Sequence, residues 1–182
     1  MLAPLLMASL IKSTRRNYRA MTPARRVKRT STRRRVKRYS CSQQGGHMPG
    51  SYIVSGARTP IGKMSGALSD FSAADLGGFA IAEALKRAGV RPDEVQHVIV
   101  GQVLMAGQGQ VPSRQAAVKA GIPMNVPSVN VNKVCLSGLN SIYLADQMIA
   151  SGEADIVVAA GMESMTNAPY LASGARGGSA TA

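Results

Sequence analysis

The chain has no tryptophan, and its aromatic residues amount to 4% of 182 positions, while glycine occurs 19 times. A core without large rings and with much glycine suits an α/β protein with close backbone packing better than an all-β sandwich. Cysteine is almost missing as well: Cys41 and Cys135 are the only two, far apart in stretches of different character. They give no disulfide framework and no zinc-ligand spacing, so a reducing compartment and no bound metal are expected. No apolar run approaches the ~18–20 residues needed to span a bilayer, so a soluble chain is expected.

Acidic residues are absent from positions 1–47, which carry 13 of the 22 Lys and Arg; from Met48 onward nine basic and nine acidic side chains balance. The net charge of +13 therefore belongs to an extension and does not make the rest a nucleic-acid binder. In the extension an apolar opening precedes the positive charge, the reverse of a secretory signal. Its Arg-rich, Ser-containing composition leaves three readings: a mitochondrial transit peptide, a basic arm contacting phosphates, or a non-native segment ahead of a start at Met48. Cys41 and His47 fall in it and are expected to be solvated.

Beyond Met48 the pattern alternates. "SYIVSG" (51–56) reads as a strand, and "ARTPIGKMSGALSD" as a loop. Ser72 with Asp75 predicts a capping box before a four-turn amphipathic helix, with Leu76, Phe79 and Ala80 on its apolar face and Gly89 at its end. "VQHVIVGQVL" (95–104) has the continuous apolar character of a strand covered on both faces. "SRQAAVKAG" (113–121) predicts a short helix and "VPSVNVN" (126–132) a third strand. The segment 136–150 is apolar or small on nearly every side and predicts a fully buried helix; "ADIVVAAGM" (154–162) is the fourth strand. The succession βαβαβαβ implies an α/β fold with a mainly parallel sheet, whose reactive crevice lies beyond the carboxyl ends of the strands.

Four stretches are candidate sites. "GARTPIGK" has five residues between its glycines, Met64 after the lysine and Pro60 in place of an amide donor, so it is not a phosphate loop. "AGQGQ" lies outside a strand-to-helix turn and is not a dinucleotide fingerprint. His97, inside an apolar strand, is expected to be a structural histidine with its hydrogen bonds satisfied. Cys135 is the fourth and has two readings. A cysteine in apolar surroundings is ordinarily a packing residue. Placed in the first turn of a helix, a thiol instead meets free backbone amides that favour the thiolate and can hold an oxyanion.

The stretches "ARTPIGK", "GQVLMAGQGQVPSRQAA", "VNKVCLSGLNSI" and "VVAAGMESMTNAPY" together resemble the amino-terminal part of the thiolases, the acetyl-CoA acetyltransferases and 3-ketoacyl-CoA thiolases, from Met48 to about Leu171. The resemblance implies a thiolase-like layered α/β fold, present here as one incomplete half. It also implies ping-pong acyl transfer with Cys135 as nucleophile and its amide at an oxyanion site. Segments around Gln108–Arg114 and Asn132 would line the active-site wall and a subunit interface. No resident cofactor is implied; coenzyme A thioesters are substrates, and the complete protein would form dimers or tetramers. Met64, Val111 and Leu136 depart from frequent family residues. The activating His, the second Cys and most CoA-holding loops belong to a later half, and no His or Cys follows Cys135. Residues 172–182 read as a tail unlike the family.

From this the chain divides into an extension (1–47), a truncated thiolase amino-terminal domain (48–171) and a tail. It is expected to lack thiolase turnover alone and to expose an apolar face. Localisation is expected to be cytoplasmic, or the mitochondrial matrix if the extension is a transit peptide. The rival readings are a non-catalytic thiolase-like fragment with a basic, nucleic-acid-contacting arm, and a ketoacyl-synthase-type condensing enzyme.

Overall fold

Alternating aliphatic side chains decide the architecture. The structure is a computed structural model and describes residues 8–13 and 50–175. Its strands are β1 (Ala8–Ser13), β2 (Ser51–Ala57), β3 (His97–Gly101), β4 (Ser128–Val131) and β5 (Ile156–Gly161); its helices are α1 (Ala73–Ala88), α2 (Pro112–Lys119) and α3 (Ser137–Ser151). In β3, Val98 and Val100 join one buried cluster with α1 and α2, whereas Ile99 joins a second cluster with Ala145 and Ile149 of α3. Val158 and Ala160 of β5 likewise face the first cluster, and Val157 and Ala159 the second. A strand apolar at every position thus serves two cores, one on each face of the sheet. The result is a three-layer α/β/α sandwich.

The sheet order is β2-β1-β5-β3-β4. β3 is parallel to both β4 and β5, and β1 is antiparallel to its neighbours β2 and β5. The mainly parallel α/β sheet expected from the sequence is present. One strand was not expected: residues 8–13 lie within the segment set apart from the domain, yet they form a central strand, with Ile11 1% exposed in the core beneath α3. The rest of the extension, with Cys41 and His47, lies outside the described residues.

Local chemistry explains the helix limits. Ser72 caps α1 by accepting from the Asp75 amide, and the Asp75 carboxylate accepts from the Ser72 amide, completing the capping box. Gly89 closes the helix in the left-handed region, φ 64°, where a Cβ would be strained. Pro112 starts α2, where a missing amide costs nothing. Two helical expectations need correction. Phe79 is on the exposed side of α1, where it packs edge-on against Phe71 with ring centroids 5.5 Å apart. Nor is α3 buried all round: only Ser137, Ser141, Ala145 and Ile149, one stripe at helical spacing, are fully buried, with Ile142, Leu144 and Met148 partly buried beside them. Leu139 (61%) and Tyr143 (56%) point away from the sheet, because no described element lies over that side.

Candidate functional site

Beyond the carboxyl ends of β3 and β5 the chain turns into α3 at very short range. A Cβ built on Gly101 would lie 2.3 Å from the Ser137 carbonyl carbon and 2.5 Å from the Gly138 nitrogen. One on Gly138 would meet the Cα of Gly161 at 3.5 Å. Gly101 and Gly161 are register partners, so two adjacent strands end in glycines just where the helix begins. The first turn of α3 rests directly on the sheet because these positions lack side chains.

The loop carrying Cys135 is held between that turn and β4. Ser137 is buried; its hydroxyl accepts from the Lys133 amide (2.8 Å) and donates to the Val134 carbonyl (2.6 Å). The Asn132 side chain accepts from the Val134 amide (3.0 Å) and reaches the Val103 carbonyl (3.4 Å). Val134 takes a left-handed φ of 51°, costly for a β-branched residue and maintained by these bonds. Cys135 follows, a free and exposed thiol.

Among the described residues Cys135 is not packed in a core. The position also differs from expectation: Leu136 is the N-cap and Ser137 the first helical residue, so Cys135 stands just ahead of the first turn. The amides of Leu136 and Ser137 are bonded to Lys133 and Val134, while those of Gly138 and Leu139 have no acceptor among the described residues. Unpaired donors next to an exposed sulfur are the elements an acyl-transfer site requires.

A polar network anchors the neighbouring loop. The Glu163 carboxylate, buried after β5, accepts from the amides of Val103 (2.9 Å) and Leu104 (3.1 Å). Burial pushes its carboxyl above the ordinary range, opposed by those two hydrogen bonds. Gln102, fully buried, donates to Gln108 (2.7 Å) and the Leu104 carbonyl, and Gln108 donates back to Leu104 (2.8 Å). Asn130 of β4 accepts from the Ser113 amide (2.9 Å), tying α2 to the same edge. Asn132 and Val103 bridge this network to the cysteine loop; the sequence reading pointed to Gln108 and Asn132 but missed Glu163, Gln102 and Asn130. A lone carboxylate directly after a wholly apolar strand was the available signal.

Other candidates fall away from this end. His97 begins β3, at the opposite end of the strand from Gly101. It is not satisfied as expected: its Nδ1 is buried without a partner among the described residues, and burial lowers its pKa. A 340 Å³ cavity is lined by Met105, Gly109, Val111, Pro112 and residues 128–130, and Cys135 is not part of it. Among the described residues no helix is long and apolar enough to cross a membrane, and no cluster of three or more His, Cys, Asp or Glu could hold a metal.

Comparison with known proteins settles the family. A profile described as "Thiolase, N-terminal domain" matches residues 51–181. The chain belongs to the thiolase family. The match reaches past Leu171, so most of the tail lies within the family span, whereas β1 lies outside it. Over 131 residues this thiolase-family chain is 62% identical to a probable acetyl-CoA acetyltransferase of Mycobacterium leprae, covering 72% of the chain and 33% of the relative. It is 53% identical over 126 residues to an acetyl-CoA acetyltransferase of Cupriavidus necator, covering 69% and 32%. It is 52% identical over 121 residues to a mitochondrial acetyl-CoA acetyltransferase of Xenopus tropicalis, covering 66% and 29%. The chain thus spans about a third of the length of these relatives.

Proposed function

We propose that the chain contributes the nucleophilic half-site of a thiolase-type acyl transfer between coenzyme A thioesters, with Cys135 taking the acyl group. The observation that carries this reading is the free, exposed thiol on a hydrogen-bonded loop at the carboxyl end of the sheet. In the first step the Cys135 sulfur attacks the thioester carbon and an S–C bond forms. The carbonyl oxygen gathers negative charge next to the backbone amides at the start of α3, and the tetrahedral adduct then collapses. The C–S bond to coenzyme A breaks, and coenzyme A leaves as a thiolate that takes up the proton the cysteine lost. In the synthetic direction the acyl-enzyme passes its acyl group to the deprotonated methyl of acetyl-CoA: a C–C bond forms, the S–C bond to Cys135 breaks, and the thiolate is regenerated. In the degradative direction Cys135 instead attacks the 3-keto carbon of a 3-ketoacyl-CoA, the C2–C3 bond breaks and acetyl-CoA leaves after protonation at carbon; the thiol of coenzyme A then takes the acyl group from the enzyme.

His97 does not serve as base, because it lies at the far end of β3 from the cysteine loop, and His47 is outside the described residues. The chain alone therefore acylates slowly and does not turn over. Coenzyme A released from acetyl-CoA, followed with a thiol reagent, should appear as one slow stoichiometric burst that Cys135→Ser abolishes. Sustained release, or thiolysis of acetoacetyl-CoA at a full enzymatic rate, contradicts the reading. The reading carries a cytoplasmic location, with the mitochondrial matrix as the alternative if residues 1–47 are a transit peptide. A fluorescent protein fused behind residues 1–47 that entered mitochondria and lost those residues would reverse that assignment.

A further inference from the structure

Between β2 and β5 the family-matched residues leave a gap one strand wide, and a segment from outside the match fills it. Ala8–Ser13 pairs antiparallel with both sides, from Ala8 opposite Ala160 to Lys12 opposite Ile156 on β5, and from Ala8 opposite Ala57 to Ser13 opposite Ser51 on β2. Without an occupant, β2 and β5 would each present a row of unpaired backbone groups, a template for an added strand. The Ile11 side chain enters the core among Ile99, Ala145, Ile149, Val157 and Ala159.

The fit is regular on one side and irregular on the other. Against β5 the register is continuous, whereas against β2 it slips between Leu10 and Ile11: Leu10 faces Ser55, Ile11 faces Ile53, and Val54 is left unpaired in a bulge. In the sequence, 37 residues (14–50) separate this strand from β2. We infer that the space between β2 and β5 is a strand-acceptor site and that Ala8–Ser13 is its tethered, exchangeable occupant. What the site recognises is an extended antiparallel segment with a large aliphatic side chain at the position of Ile11: backbone pairing supplies affinity, and that one pocket supplies selectivity.

The test uses the full chain with Cys41 and Cys135 replaced by serine and a cysteine pair introduced by Lys12→Cys and Tyr52→Cys, an exposed and directly paired couple. Oxidation should close a disulfide within one chain. A peptide of residues 6–15 at about 5 mM, competing with a segment held near its site by chain connectivity, should lower that yield at least about threefold when added before oxidation. The same peptide carrying Ile11→Asp should leave it unchanged. Absence of the cross-link, or disulfides formed only between chains, overturns occupancy in cis. An undiminished cross-link in the presence of the native peptide overturns exchangeability.

Discussion

A methyl group at Gly101 would have to occupy the space of the Ser137 carbonyl, 2.3–2.4 Å away, and backbone cannot swing aside as a long side chain can. Gly101→Ala should therefore exceed the usual ~1–3 kcal/mol of overpacking and displace the cysteine loop, read as a lowered urea midpoint together with altered Cys135 alkylation. Ser137→Ala is milder. It strands the Lys133 amide and the Val134 carbonyl, so a loss of about 1–3 kcal/mol in urea unfolding is expected. Glu163 adds a pH dependence. Its carboxyl is raised by burial above its ordinary 4.5, so between that value and the folded one the native state holds a proton that the unfolded chain has released. Its contribution to stability is present at lower pH and falls as pH rises through that window. Glu163→Gln should flatten this segment of the stability profile; an unchanged slope would place the titration elsewhere.

At the scale of elements, α1 was legible because its signals are local: a capping box at Ser72 and Asp75, an apolar stripe, and Gly89. Ser72→Ala should cost about 1 kcal/mol, measured by thermal or urea unfolding. Lys119 at 2.5 Å and then Ser72 lower the Asp75 pKa, so that carboxylate stabilises the fold above its ordinary 3.8 and loses the effect on further acidification. β3 and β5 were equally readable, since a strand serving two cores must be apolar throughout. β1 was not. "ASLIKS" lies between an apolar start and a run of arginines, and its strand state is imposed by pairing with β2 and β5, which local sequence does not encode. The outward side of α3 misled in the other direction: Leu139 and Tyr143 suggested burial, yet nothing described covers them. Leu139→Lys should consequently change unfolding free energy by no more than about 0.5 kcal/mol.

For the molecule as a whole, the fold explains where chemistry is possible. Parallel β3, β4 and β5 bring their carboxyl ends to one edge; glycines at two of those ends admit the start of α3, and the turn between β4 and α3 holds Cys135 in the open. Motif order alone placed the cysteine at that edge. The clamp that holds it there, through Ser137, Asn132 and Glu163, depends on residues brought together across long sequence separations and emerged only in three dimensions. The most direct measurement is peptide mass spectrometry of the chain after incubation with acetyl-CoA and acid quench. The account predicts one acetyl group, as a hydroxylamine-labile thioester, on the peptide containing Cys135. An acetyl group found only elsewhere, or no acetylation of that peptide while the thiol remains open to iodoacetamide, would contradict it.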